Sequence, residues 1–366
     1  MSDATAFNEA YNNGLDRGTS VRQLLRPLAQ LLHEDGVTEI CINEHELVFY
    51  EQYGIWHEQS IPELSYENLY SLGVAVAKYS DNNFGETSPI LSATLPDGER
   101  AQFVMPPACK TGTISVTIRR PSFGVRTMAD YVTDGFFNHL RKKGDDPVVA
   151  ELSALKAQLN AAATVAEQAQ ARANFLTRAV ELNQNIVIAG ETGSGKTTFM
   201  KALMQSIPLT QRIITIEDVP ELLYGLPNHR NRVHLFYPSE AKEDSLVTAA
   251  SLLRSCLRMK PDRILLAELR GGETYDFLNV CMSGHGGSIT SCHSGSCKDA
   301  FEYLALKVLQ SPTGKELPYA VIDRLLHQVI NVVVHIHNSK DIGRHITEIW
   351  YEPQMRSESK EELCVA

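Results

Sequence analysis

The chain is expected to be an α/β protein, with an open, mostly parallel sheet in its C-terminal half and an α+β domain before it. Three features predict this. Past Glu181, short continuous apolar runs (NIVIAG, RIITIED, VHLFY, RILLAEL, SITSC and NVVVHIH) alternate with helical stretches such as KTTFMKALMQSI, SLVTAASLLRSCLRM and CKDAFEYLALKVLQS. Runs of that kind suit strands buried on both faces, and their alternation with helices argues for parallel pairing. In the first third, TEICIN, LVFYEQ, ILSATLP, ERAQFVMPP and GTISVTIRRP are rich in β-branched and aromatic residues and bounded by Gly, Pro, Asp and Asn. Between the two halves the composition shifts to Ala, Gln, Leu and Glu, with neither Gly nor Pro from 150 to 179.

Within the first domain, SYENLYSLGVAVAKYSD has helical spacing, with Leu69, Leu72, Val74, Val76 and Tyr79 near one face and a serine start that resembles a cap. This domain ends near Pro121 to Thr127. The Ala-rich stretch reads as a solvated helical connector, since no heptad persists long enough for a coiled coil. The division expected is therefore 1–130, 131–178 and 179–366.

At 366 residues the chain is long enough for two domains, and 43% apolar with 21% charged residues describes a globular protein. No apolar run approaches the roughly 20 residues of a membrane span, and the opening MSDATAFNEAYNNGLDRG is polar, so a cytoplasmic protein is expected. The seven cysteines, scattered and odd in number, read as reduced thiols. A net charge of -10 argues against a broad nucleic-acid face.

Directly after the strand NIVIA comes GETGSGKTT, which fits GxxxxGK[ST] with Gly190, Gly195, Lys196 and Thr197. Gly190, Glu191, Thr192, Gly193, Ser194, Gly195, Lys196, Thr197 and Thr198 thus form a candidate nucleotide-binding segment. Its glycines let backbone N–H groups turn inward around phosphate oxygens, and the following helix aims its positive end at the same anion. Lys196 would reach the β and γ phosphates, and the Thr197 hydroxyl is placed to ligate Mg²⁺.

Hydrolysis also needs carboxylates near the γ-phosphate to hold metal and position water. RILLAEL places Glu268 at the end of an apolar strand, and RIITIEDVPEL does the same with Glu217 and Asp218, with Glu221 one turn on. Carboxylates at strand C-termini of an open α/β sheet face the crevice where ligands bind. Glu268 would hold the metal and its water, and Glu217 would orient or deprotonate the water. The alternative for each is a helix or turn cap.

Together, GETGSGKT, ITIEDVPEL, LLRSCLRMKPDRILLAELRGGE and SGHGGSITSCHSGS resemble, in order, the Walker A, Asp box, atypical Walker B and His box of the secretion or traffic ATPases. The resemblance covers the whole chain and is greatest to the conjugation and type IV secretion branch. It implies a RecA-like C-terminal ATPase domain, with Lys196 and Thr197 for phosphate and magnesium, Glu217 in the Asp box, Glu268 in Walker B, and His285 and His293 in the His box. Ala267 stands where the family usually has Gly, and Ser283 where Thr is common.

The His box raises a zinc reading, since Cys281, His285, Cys292, His293 and Cys297 are soft ligands. The cysteines lie eleven and five positions apart, however, without CxxC pairs, and neighbours Cys292 and His293 on a strand point to opposite faces. No zinc is expected. A histidine that donates to the γ-phosphate is the favoured account, His293 above His285, with a hydrogen-bonded structural histidine as the alternative.

The resemblance further implies arginines from the first domain that contact the nucleotide, matched here by Arg100 and Arg119, with Arg120 on the other strand face. Arg254, Arg258, Arg263 and Arg270 crowd around the Walker B segment. The function expected is an Mg²⁺-dependent ATPase of a type IV secretion or conjugation apparatus, a homo-oligomer (a hexamer by resemblance) that drives pilus assembly or cargo translocation. Its expected partners are the other ATPases and inner-membrane components of the apparatus, with peripheral membrane association through them and no sequence-specific nucleic-acid binding. The rivals are a nucleic-acid helicase or translocase on the same core, and a nucleotide-gated scaffold that barely hydrolyses.

Overall fold

The computed structural model describes residues 16–121, 124–140, 146–241 and 245–353. Its compact units interleave along the chain, one comprising the described residues of Met1–Pro121 and Asn231–Pro261, the other those of Ser122–Arg230 and Asp262–Ala366. The division expected from composition was contiguous.

The first unit opens with α1 (Thr19–Leu24) and α2 (Ala29–His33), followed by β1 (Val37–Glu44), β2 (Leu47–Gln52), β3 (Ile55–Ser60), α3 (Tyr66–Tyr79), β4 (Ile90–Thr94), β5 (Arg100–Val104) and β6 (Ser115–Arg119). The strands form one antiparallel sheet in the order β3-β2-β1-β6-β5-β4. As expected, Ser65 caps α3 by accepting from the Asn68 N–H. The apolar face of α3 is Leu69, Leu72, Gly73, Val76 and Ala77, whereas Val74 is exposed. At about 100° per residue, position 74 falls outside the i, i+3, i+4, i+7 stripe that starts at Leu69. Gly73 allows a close approach, since a Cβ there would lie 2.3 Å from the Phe84 ring.

In the second unit, α4 (Met128–Thr133), α5 (Pro147–Ala161) and α6 (Val165–Glu181) precede β7 (Ile186–Gly190), α7 (Lys196–Met204) and β8 (Ile213–Glu217). The chain then leaves for β9 (Arg232–Phe236) and α8 (Ala249–Cys256), which belong to the first unit. There Asn43 donates to Asn231, Gln102 donates to Ser255, and Lys260 pairs with Glu51. The second unit resumes with β10 (Arg263–Leu266), α9 (Glu273–Met282), β11 (Ile289–Cys292), α10 (Cys297–Val308), α11 (Tyr319–Val329), β12 (Val332–Ser339) and β13 (Gly343–Trp350).

Parallel pairing holds β11 and β12 to either side of β7, and β10 to β8, while β13 closes the β12 edge antiparallel. Just past β10, the Leu269 N–H donates to Ser291 O of β11 at 2.8 Å. The C-terminal ends of β7, β8, β10 and β11 thus carry, in turn, the phosphate loop, Glu217–Asp218, Glu268 and His293.

The stretch expected to be a solvated connector is two helices. Thr164, with Glu167, forms a reciprocal cap that starts α6 afresh. Leu152, Phe175, Leu176, Ala179 and Val180 are buried in the core of this unit beneath β7 and β12. Apolar residues spaced three and four apart in an Ala-rich background create a packed face where composition alone suggests a soluble spacer.

Arg263, at the start of β10, is fully buried. Its Nε donates to Gln211 Oε1 at 2.5 Å, Nη2 to Val180 O at 2.6 Å and Nη1 to Gly287 O at 3.3 Å. The guanidinium therefore ties together the end of α6, the loop before β8 and the turn before β11. Burial pushes its pKa down to about 10. Arg263→Ala should lower stability by about 3 kcal/mol or more, because three acceptors lose their donor and a large side-chain volume empties. A urea or thermal melt checks this; an unchanged midpoint would contradict the staple role.

Candidate active site

The loop between β7 and α7 is shaped by three glycines. A Cβ at Gly190 would lie 2.4 Å from Ile336 O on the neighbouring strand. Gly193 and Gly195 adopt φ of 80° and 98°, left-handed values that side chains resist. Ser194 is buried, and its Oγ has no hydrogen-bond partner.

Lys196 begins α7 and is itself buried. Its Nζ donates to Gly190 O at 2.8 Å and Glu191 O at 3.1 Å, so the ammonium rests on carbonyls of its own loop. Burial lowers its pKa, a penalty that an anionic ligand would offset. The same Nζ lies 3.5 Å from His293 Nδ1. An ammonium has no acceptor, so Nδ1 is the accepting nitrogen and Nε2 carries the hydrogen.

That Nε2 stands 2.6 Å from Glu268 Oε1. The distance is short, yet Oε1 is buried and has no aligned hydrogen bond. The His293 ring thus sits against Oε1 without meeting the geometry of a hydrogen bond. The other oxygen, Oε2, accepts from Arg270 Nε at 2.9 Å and lies 2.8 Å from Nη2, while Nη1 of the same guanidinium pairs with Asp218 at 2.6 Å. Burial works against the charge of Arg270, but Glu268 and Asp218 outweigh it and raise its pKa.

A cavity of about 490 Å³ is lined by loop residues Glu191, Thr192, Gly193, Gly195, Lys196, Thr197 and Thr198, and by Asp218, Glu268, Arg270, His293 and Arg344. Glu217 and His285 are not among its lining residues. Glu217 is fully buried: Oε2 accepts from the Glu221 and Leu222 N–H groups at 2.7 and 2.6 Å, and Oε1 from Leu223 at 3.0 Å. The structure thus gives Glu217 the capping arrangement, and its neighbour Asp218 takes the place facing the cavity. Burial raises the Glu217 pKa, opposed by the three N–H bonds.

His285 lies before β11 whereas His293 follows it directly, so the two histidines are on opposite sides of one strand along the chain. Only His293 is at the phosphate-loop end; His285 Nδ1 lies 3.3 Å from Ser283 Oγ. The cysteines of this segment, Cys281, Cys292 and Cys297, are buried, and burial pushes each thiol up to about 12.

In the first unit, Arg100 and Arg119 are direct cross-strand partners on β5 and β6. Both line a cavity of about 900 Å³ with Arg17 and Arg258. The Arg119 side chain is 67% exposed, and its Nε lies 3.5 Å from Glu39 Oε1. Arg120, on the opposite strand face, donates to the backbone carbonyls of Glu34 and Val37.

Sequence reasoning did not single out Arg344, because its place beside the loop depends on a hairpin that brings β13 alongside β12, the neighbour of β7. Arg270 was noted only for its proximity to Glu268. The contrast between Glu217 and Glu268 yields a prediction. Glu217→Ala should chiefly lower the melting temperature, since three buried N–H groups lose their acceptor at about 1–3 kcal/mol each. Residual nucleotide affinity in the folded fraction should persist, as a melt and a binding titration on the same sample would report.

The family model for type II/IV secretion system proteins matches residues 143–337. The type IV secretion system protein VirB11 of Brucella abortus is 55% identical over 362 residues, 97% of this chain and 96% of that protein. The type IV secretion system protein PtlH of Bordetella pertussis is 39% identical over 340 residues, 92% of this chain and 96% of that one. A crystal structure of the VirB11 ATPase from the Brucella suis type IV secretion system, in complex with sulphate, superposes with a TM-score of 0.86 at 54% identity, covering 94% of this chain and 98% of that one. The chain belongs to the type II/IV secretion system protein family, on its type IV side with VirB11.

Proposed function

We propose that this protein is the ATP-hydrolysing motor of a type IV secretion apparatus, with its chemistry in the cavity at the end of β7. The observation that carries this is the convergence there of a phosphate loop, its lysine, a buried carboxylate and a histidine, all delivered by C-terminal ends of parallel strands. The named relatives are secretion proteins, and the helicase reading draws no support from them.

Backbone N–H groups of Gly193 to Thr197 would hold the phosphates, and Lys196 would turn from its own carbonyls to the β and γ oxygens. Thr197 and Glu268 are the residues for Mg²⁺. They fit: both present oxygen, the donor a hard cation takes, and Glu268 Oε1 is buried without an aligned hydrogen bond. Magnesium, when bound, neutralises phosphate charge. Glu268 is the residue that would orient and deprotonate water: it lines the cavity, and with Arg270 on Oε2 its other oxygen, Oε1, has no aligned hydrogen bond. His293, on Oε1 here, would donate to the γ-phosphate and so release that oxygen when substrate arrives.

Arg100 and Arg119 are proposed to neutralise nucleotide charge. Support comes from the resemblance and from their shared, partly exposed face on β5 and β6. A ring of six copies, held peripherally at the inner membrane by other components of the apparatus, completes the proposal. No described helix is long and apolar enough to cross a membrane.

Steady-state phosphate release tests the reading. Lys196→Ala and Glu268→Gln should each lower kcat by about 10²-fold or more, and Glu268→Gln should still bind nucleotide. Equal turnover by wild type and Lys196→Ala would contradict it and favour a nucleotide-gated scaffold.

A further inference from the structure

One cation beside the phosphate loop has no part in the mechanism above. Arg344 lies on β13 one residue after Gly343 and pairs with Asn338 of β12. Because β12 runs parallel to β7 with Ile336 opposite Gly190, Asn338 and its partner Arg344 lie past the end of β7, at the level of the loop. The side chain folds against the loop itself: a Cβ on Gly195 would lie 3.0 Å from Arg344 Cδ and 3.4 Å from Nε. Arg344 lines the cavity together with Lys196, Thr197 and Thr198. Among the described residues no carboxylate lies within ion-pair distance of it, whereas Arg270 in the same cavity holds both Asp218 and Glu268. A guanidinium parked without a counter-ion over an anion-binding loop is charge left for the ligand.

We propose that Arg344 contacts the α and β phosphates of bound nucleotide. This rests on the nucleotide reading of the site. The end of the cavity is set by its neighbours: loop backbone cradles the α and β phosphates, while Lys196 reaches on toward γ, where Glu268 and His293 stand. The planar fork of arginine matches a pair of phosphate oxygens. Since those phosphates remain after hydrolysis, Arg344 serves affinity for both substrate and product, unlike Glu268 and His293, whose partner is lost with the γ-phosphate. Gly195 is then required twice, for its left-handed φ and for the room its missing Cβ leaves the arginine stem.

Calorimetric titration of the full chain with Mg-ADP and with a non-hydrolysable Mg-ATP analogue tests this, using wild type, Arg344→Met and Arg344→Lys. Methionine keeps an aliphatic stem against Gly195 and removes the charge. Arg344→Met should weaken both nucleotides by a similar factor of about 10-fold, and Arg344→Lys should fall between. Wild-type affinity for ADP in Arg344→Met, or a loss confined to the ATP analogue, would overturn the proposal. A wild-type chain that bound neither nucleotide would overturn the nucleotide reading itself, and this inference with it. Matching melting temperatures for the three proteins exclude misfolding as the cause.

Discussion

Everything at this site depends on keeping an unsatisfied positive field at the end of β7. Backbone N–H groups of the loop, the start of α7 and the Lys196 ammonium all present positive charge to one cavity, and burying them without an anion is costly. The structure contains that cost locally. Lys196 rests on the carbonyls of Gly190 and Glu191, and its pKa falls because burial disfavours the charge. An incoming phosphate exchanges those neutral acceptors for charged ones, which makes anion binding the relaxation of an arrangement the fold holds ready.

The carboxylate side of the cavity is organised around the opposite problem. Glu268 is mostly buried, with the Arg270 guanidinium on Oε2 and the His293 ring against Oε1. Arg270 is fixed in turn by Asp218, so the pair of acids and the guanidinium form a frame that sets where Oε1 points. Glu217, one residue before Asp218, solves a different problem by closing the turn after β8. Two adjacent acids thus divide between structure and site, and the division follows strand alternation: one carboxylate turns into the core side, its neighbour into the crevice.

Much of this was legible in the chain. The loop, Glu268 and His293 were readable because each pairs an apolar strand with a residue that a buried strand end would not otherwise carry. The fold class followed from the same alternation. What remained hidden depended on long-range placement. Val74 looked apolar and facing but falls off the stripe of α3. The α5–α6 stretch looked soluble but packs Phe175 and Leu176 into the core. Glu217 and Asp218 could not be told apart before the turn was seen, and His285 shares a box with His293 yet lies before β11. The excursion through β9 and α8 into the first unit is held by contacts as distant in sequence as Asn43 with Asn231, beyond any local pattern.

The most direct measurement is a crystal structure of the full chain with a non-hydrolysable ATP analogue and magnesium. The account predicts the β and γ phosphates within hydrogen-bond reach of the loop N–H groups, with Lys196 turned from Gly190 O to phosphate oxygen and His293 drawn off Glu268. An analogue bound elsewhere, over a loop whose lysine still rests on its own carbonyls, would contradict it.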